Sequence, residues 1–135
     1  MVKAQLPWKI KLGSKTILQT TGEDEKKNVV RLKNIQVGTK NNFYLSYRVT
    51  PDEKDWIKTV MMYDTAGVNI TDNPVGSKIQ KGTPRVNYII PNKTLKVLLA
   101  GHKKIKIYYI SIPSDPEKAA IVRVRRVHIC TVLLQ

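Results

Sequence analysis

The stretch "FYLSYRV", residues 43–49, alternates Phe43, Leu45, Tyr47 and Val49 with Tyr44, Ser46 and Arg48. A period of two marks a strand with one buried and one wet face. The period recurs in "PWKIKL", where Trp8, Ile10 and Leu12 alternate with Lys9 and Lys11. Further runs read as strands are "KTILQT", "WIKTVMMYD", "RVNYII", "TLKVLLA" and "KIKIYYISI". Turn sequences rich in Gly, Pro and Asn separate them, and nothing between them reads as the long helix that a parallel crossover requires. The pattern predicts an all-β fold, an antiparallel β-sandwich of jelly-roll-like form. Eight or nine strands are expected, in a single domain over residues 1–135.

Local punctuation refines that reading. "VVRLKNIQV" starts in one phase at Val30 and Leu32 and continues in the other at Ile35 and Val37, as a β-bulge near Lys33-Asn34 would produce. Thr50, Pro51 and Glu53 form a capping box with proline at the first helical position, and "SDPEKAA" at 114–120 repeats the device. Both predict one-turn helical connectors. The polar stretch 65–82 is the longest connection, with a short strand expected around Val68 to Ile70.

Composition matters where it departs from the ordinary. Lys and Arg number 24 against 10 Asp and Glu, a net charge of +14. Residues 1–50 carry ten bases and three acids, residues 51–100 seven and five, and residues 101–135 seven and two. A basic domain of this kind is drawn to nucleic acid or another polyanion through nonspecific, salt-weakened contacts, although many lysines also serve simply to solvate a surface.

The C-terminal "IVRVRRVHICTVLL" sharpens the question. Val122 and Val124 share one parity and Val127, Ile129 and Leu133 the other, which predicts a bulge at Arg125-Arg126. In a jelly roll the first and last strands pair, which would set Lys9 and Lys11 beside Arg123 and Arg125 on one basic face. Lys104 and Lys106 alternate with apolar residues in the same way, so the candidate polyanion-binding residues are Lys9, Lys11, Lys104, Lys106, Arg123, Arg125 and Arg126. The competing explanation is that the arginines only solvate and protect an edge strand. Val132, Leu133 and Leu134 are adjacent and apolar, and alternation turns one parity away from the domain's own core. They are the expected oligomer contact.

Much chemistry is disfavoured. His102 lies in the turn "AGHKK", and His128 has no carboxylate beside it in the sequence. Cys130 is the sole cysteine, and its apolar neighbours predict a buried, inert thiol. No metal-ligand spacing, phosphate loop or nucleophile elbow occurs, so no catalytic residue, metal or cofactor is expected. No apolar run reaches the length of a membrane span, and the N-terminus lacks the continuous apolar segment of a signal peptide. Sequons stand at Asn69 and Asn92.

A basic, cofactor-free β chain matches, at the level of fold, the single jelly-roll subunits of viral coats, which self-associate and turn a basic surface to packaged nucleic acid. A non-enzymatic capsid-type assembly subunit, located in the virion, is the leading expectation. The alternative is a monomeric, cytoplasmic β module that binds nucleic acid nonspecifically, or carbohydrate on aromatics such as Trp56 and Tyr63.

Overall fold

A computed structural model describes residues 8–20, 23–33, 40–48, 56–70, 78–79, 85–113, 115–121 and 126–134. In chain order the elements are β1 (Trp8–Leu12), β2 (Lys15–Thr20), β3 (Val29–Leu32), β4 (Phe43–Arg48), β5 (Ile57–Tyr63), β6 (Lys78–Ile79), β7 (Arg85–Ile90), α1 (Asn92–Gly101), β8 (Lys104–Ile112), α2 (Pro116–Ile121) and β9 (Val127–Leu134). They form a four-stranded sheet of order β2-β1-β4-β7 and a five-stranded sheet of order β3-β9-β8-β5-β6. The all-β, sandwich-like expectation holds at this level.

Alternation in the sequence becomes burial in the fold. Trp8, Ile10 and Leu12 of β1, Phe43 and Leu45 of β4, and Ile105, Ile107 and Tyr109 of β8 all point into one core. Aromatic rings bridge the two sheets there: Tyr47 lies 5.3 Å from Trp8 and 4.6 Å from Tyr109 between ring centroids. Between β8 and β9, Ile107 faces Cys130 while Tyr108 faces His128, which leaves Ile129 as an extra residue. A bulge of this kind frees a carbonyl from the ladder. The indole N–H of Trp8 donates to that Ile129 oxygen at 3.2 Å, tying the first strand to the last across the core.

Four expectations need correction. "TLKVLLA" is helical: Leu95, Leu98 and Leu99 of α1 are buried, and their spacing of three and four fits a helix better than a strand. The helix has ten residues, more than a one-turn connector. Asn42, just before β4, supplies the missing cap, its side-chain oxygen accepting the Asn92 backbone N–H at 2.9 Å. Second, the sandwich is not wholly antiparallel, because β3 runs parallel to β9. Third, β1 and β9 lie in different sheets, so the first and last strands are not neighbours.

Fourth, the C-terminal run is not one strand from Ile121. Ile121 ends α2 and the strand begins at Val127. Residues 122–125, with the bulge expected at Arg125-Arg126, lie outside the described residues, as do residues 34–39 and the capping box at 50–53. The remaining expected connector is α2, six residues long, where Asp115 accepts the Glu117 backbone N–H at 3.0 Å. In the 65–82 region, Asn69 forms an isolated bridge with Tyr63.

Candidate nucleic-acid interface

The outer face of the β2-β1-β4-β7 sheet is set by the residues of opposite parity to the core. Register places Lys9 beside Ser46 and Lys11 beside Tyr44 on β4, and these in turn beside Asn87 and Ile89 on β7. On the other flank, Gln19 of β2 pairs with Lys9. These side chains line a concavity of about 630 Å³, open to solvent. Among the described residues, no carboxylate lines it. Both lysines are half-buried, and Ile89 is 51% exposed. The face thus combines two cations, an aromatic ring, an apolar neighbour and several uncharged polar groups.

Gly13 closes one end of this concavity in the β1–β2 turn, with φ of +63°. Its N–H donates to the Asn42 carbonyl at 2.9 Å, and a Cβ at this position would meet Asn41 Oδ1 at 2.7 Å. Positive φ and close approach together favour glycine here.

The outer face of the other sheet holds a different set. Lys104 and Lys106 of β8 sit opposite Leu133 and Thr131 of β9. Arg126 lies over two tyrosine rings, its Cζ 4.9 Å from the centroids of both Tyr63 and Tyr108. Such contacts stabilise a guanidinium in place. Next to them His128 is almost fully enclosed, at 1% exposure. Its backbone N–H donates to Glu23 at 2.6 Å, and its Nε2 shares a hydrogen bond of 2.8 Å with Thr131 Oγ1. His128 therefore does have a carboxylate neighbour, brought by the fold from a residue 105 positions away.

Burial dominates the electrostatics of this face, and the acidic loop modulates it. Burial lowers the His128 pKa, Lys106 adds to that effect, and Glu25, Glu23 and Asp24 oppose it. Burial raises the Tyr108 pKa, with Glu25 and Glu23 adding to it and Arg126 opposing it. The cations here share their surface with three carboxylates. Cys130 is fully buried and desolvation pushes its thiol up to about 12, so it stays protonated, as its apolar neighbours suggested.

The candidate residues thus divide. Lys9 and Lys11 share one face; Lys104, Lys106 and Arg126 lie on the opposite sheet; Arg123 and Arg125 lie outside the described residues. Tyr44, Tyr63 and Tyr108 are recognisable in the sequence as strand aromatics available for contact, and Glu23 to Lys27 as a charged loop, whereas the position of that loop against His128 carried no local signal. Of the expected oligomer contacts, Val132 is 1% exposed and packs in the core, while Leu133 and Leu134 are half-buried. β9 is also no edge strand, since β3 and β8 flank it, so its described residues need no edge protection.

No family model matches the chain, and no curated protein is significantly similar to it. Among the described residues, no helix is long and apolar enough to cross a membrane.

Proposed function

We propose that this protein is a non-enzymatic β-sandwich that contacts nucleic acid through the outer face of the β2-β1-β4-β7 sheet. One observation carries the reading: among the described residues, Lys9 and Lys11 line a concavity without carboxylates, whereas on the opposite sheet Glu23 and Glu25 act on His128 and Tyr108 together with Lys106 and Arg126. Along the described lining of the first face, an anionic backbone meets cations without an opposing carboxylate. The net charge of +14 adds long-range attraction to either orientation.

The test is the salt dependence of binding to a short DNA. Each neutralised phosphate contributes about 0.7–0.9 to the slope of log K against log salt. Replacing Lys9 and Lys11 with Ser should lower the slope by about 1.5, and replacing Lys104 and Lys106 should lower it by less. Equal slopes for wild type and the Lys9/Lys11 variant would remove this face from the account.

A coat-type assembly subunit is the second reading, favoured by the two-sheet architecture together with the net charge of +14. The pairs β4–β7 and β5–β8 interleave along the chain, so the support lies in the sandwich and not in its winding. In that role the Lys9/Lys11 face would turn inward to packaged nucleic acid, and Leu133 remains the proposed contact between copies, since Leu134 packs against the core. Light scattering at low and high salt separates the readings: a discrete large particle or a stable ring supports the subunit, and a monomer that sheds nucleic acid as salt rises supports the solitary binder.

A further inference from the structure

We infer that the concavity on β1, β4 and β7 is a subsite for single-stranded nucleic acid, with one base lying on Tyr44 and neighbouring phosphates on Lys9 and Lys11. The inference rests on the proposed polyanion role of this face and names the form of nucleic acid it takes.

Three features of the face select a single strand. First, Lys9 and Lys11 are two residues apart on one strand, about 6.7 Å, a separation that successive phosphates of an extended chain can match. Second, Tyr44 is the direct register partner of Lys11, and Ile89 is the partner of Tyr44 on its other side. A ring and an exposed aliphatic side chain beside a cation form a platform for a base whose phosphate sits on the lysine. Sheet-borne aromatic platforms of this kind hold unpaired bases, because every base offers a π-face regardless of sequence.

Third, the polar groups on the same face are uncharged. Ser46 and Asn87 lie two residues along their strands from Tyr44 and Ile89, the next positions on the same face, and Gln19 lies beside Lys9. They can bond a sugar hydroxyl or a base edge without repelling a phosphate. The volume of about 630 Å³ falls in the range of roughly 300–1,000 Å³ that holds small organic ligands, and a nucleotide belongs to that size class. A duplex keeps its bases stacked inside and offers Tyr44 no face to contact. It would use the lysines alone.

The experiment is fluorescence anisotropy with labelled oligothymidylate and a labelled hairpin duplex, using wild type, Tyr44→Thr and Tyr44→Phe. Threonine removes the ring and keeps a residue suited to a strand. The expected result is tighter binding of the single strand, a loss of about tenfold or more for Tyr44→Thr on that strand alone, and near wild-type binding for Tyr44→Phe. Quenching of a 2-aminopurine strand by the wild-type protein provides the same readout should Tyr44→Thr not fold. Equal binding of duplex and single strand, with both indifferent to Tyr44 and both weakened by the Lys9/Lys11 substitutions, overturns the single-strand inference and leaves the polyanion reading standing. Binding of heparin with no binding of either nucleic acid overturns both and assigns the face to an acidic polysaccharide.

Discussion

At the scale of single residues, Trp8 and His128 show how far neighbours decide what a side chain does. Trp8 combines a buried ring with an indole N–H held by the Ile129 carbonyl. Trp8→Phe should keep most of the packing and leave that carbonyl without its donor, at a cost of about 1–3 kcal/mol in chemical unfolding. Trp8→Ala should cost about 3–5 kcal/mol through the cavity as well. His128 responds to pH. Its folded pKa lies below the ordinary 6.5, so between those two values the unfolded chain binds more protons than the folded one. Its contribution to stability is complete above about pH 6.5 and is lost as the pH falls toward the folded pKa. Melting temperatures should fall on acidification from about pH 6.5 to 5, and His128→Leu should flatten that decline. An unchanged slope in the variant would assign the acid sensitivity to other groups.

At the scale of elements, the prediction concerns α1. Its N-terminus has Pro91 in the capping position without a side-chain cap of its own, and the Asn42 side chain takes that role. Asn42→Ala should cost about 1 kcal/mol, and Leu95→Ala about 2–5 kcal/mol as a core truncation, both measured by denaturant titration. This element also marks where the sequence was hard to read. β1, β4 and β8 were legible because one face of each is buried, so polarity alternates with the pleat. "TLKVLLA" has too few polar residues to distinguish period two from 3.6, and the decision comes from burial of Leu95, Leu98 and Leu99 together. The parallel β3·β9 pair was invisible for a different reason: strand direction across a sheet follows from long-range topology, which local pattern does not encode. The same holds for the site. Lys9 and Lys11 could be marked as a wet, basic strand face, yet their separation from Lys104, Lys106 and Arg126 depends on which sheet each strand joins.

At the scale of the whole molecule, the sandwich presents two outer faces that differ in electrostatics although both are rich in cations. One concentrates Lys9, Lys11 and Tyr44 in a concavity without carboxylates among its described lining. The other sets Arg126 over Tyr63 and Tyr108 and holds Glu23 against the His128 backbone, so that acids and cations act together on His128 and Tyr108. Net charge alone would make every surface a polyanion site. The distribution of acids makes one face the better candidate, and the account stands or falls on that asymmetry. The most direct measurement is an NMR titration of the isotope-labelled protein with a short single-stranded oligonucleotide, following backbone amides of all strands. The largest shifts are expected on Lys9, Lys11, Tyr44, Ser46 and Asn87, with β8 and β9 little changed. Largest shifts on Lys104, Lys106 and Arg126 would contradict it.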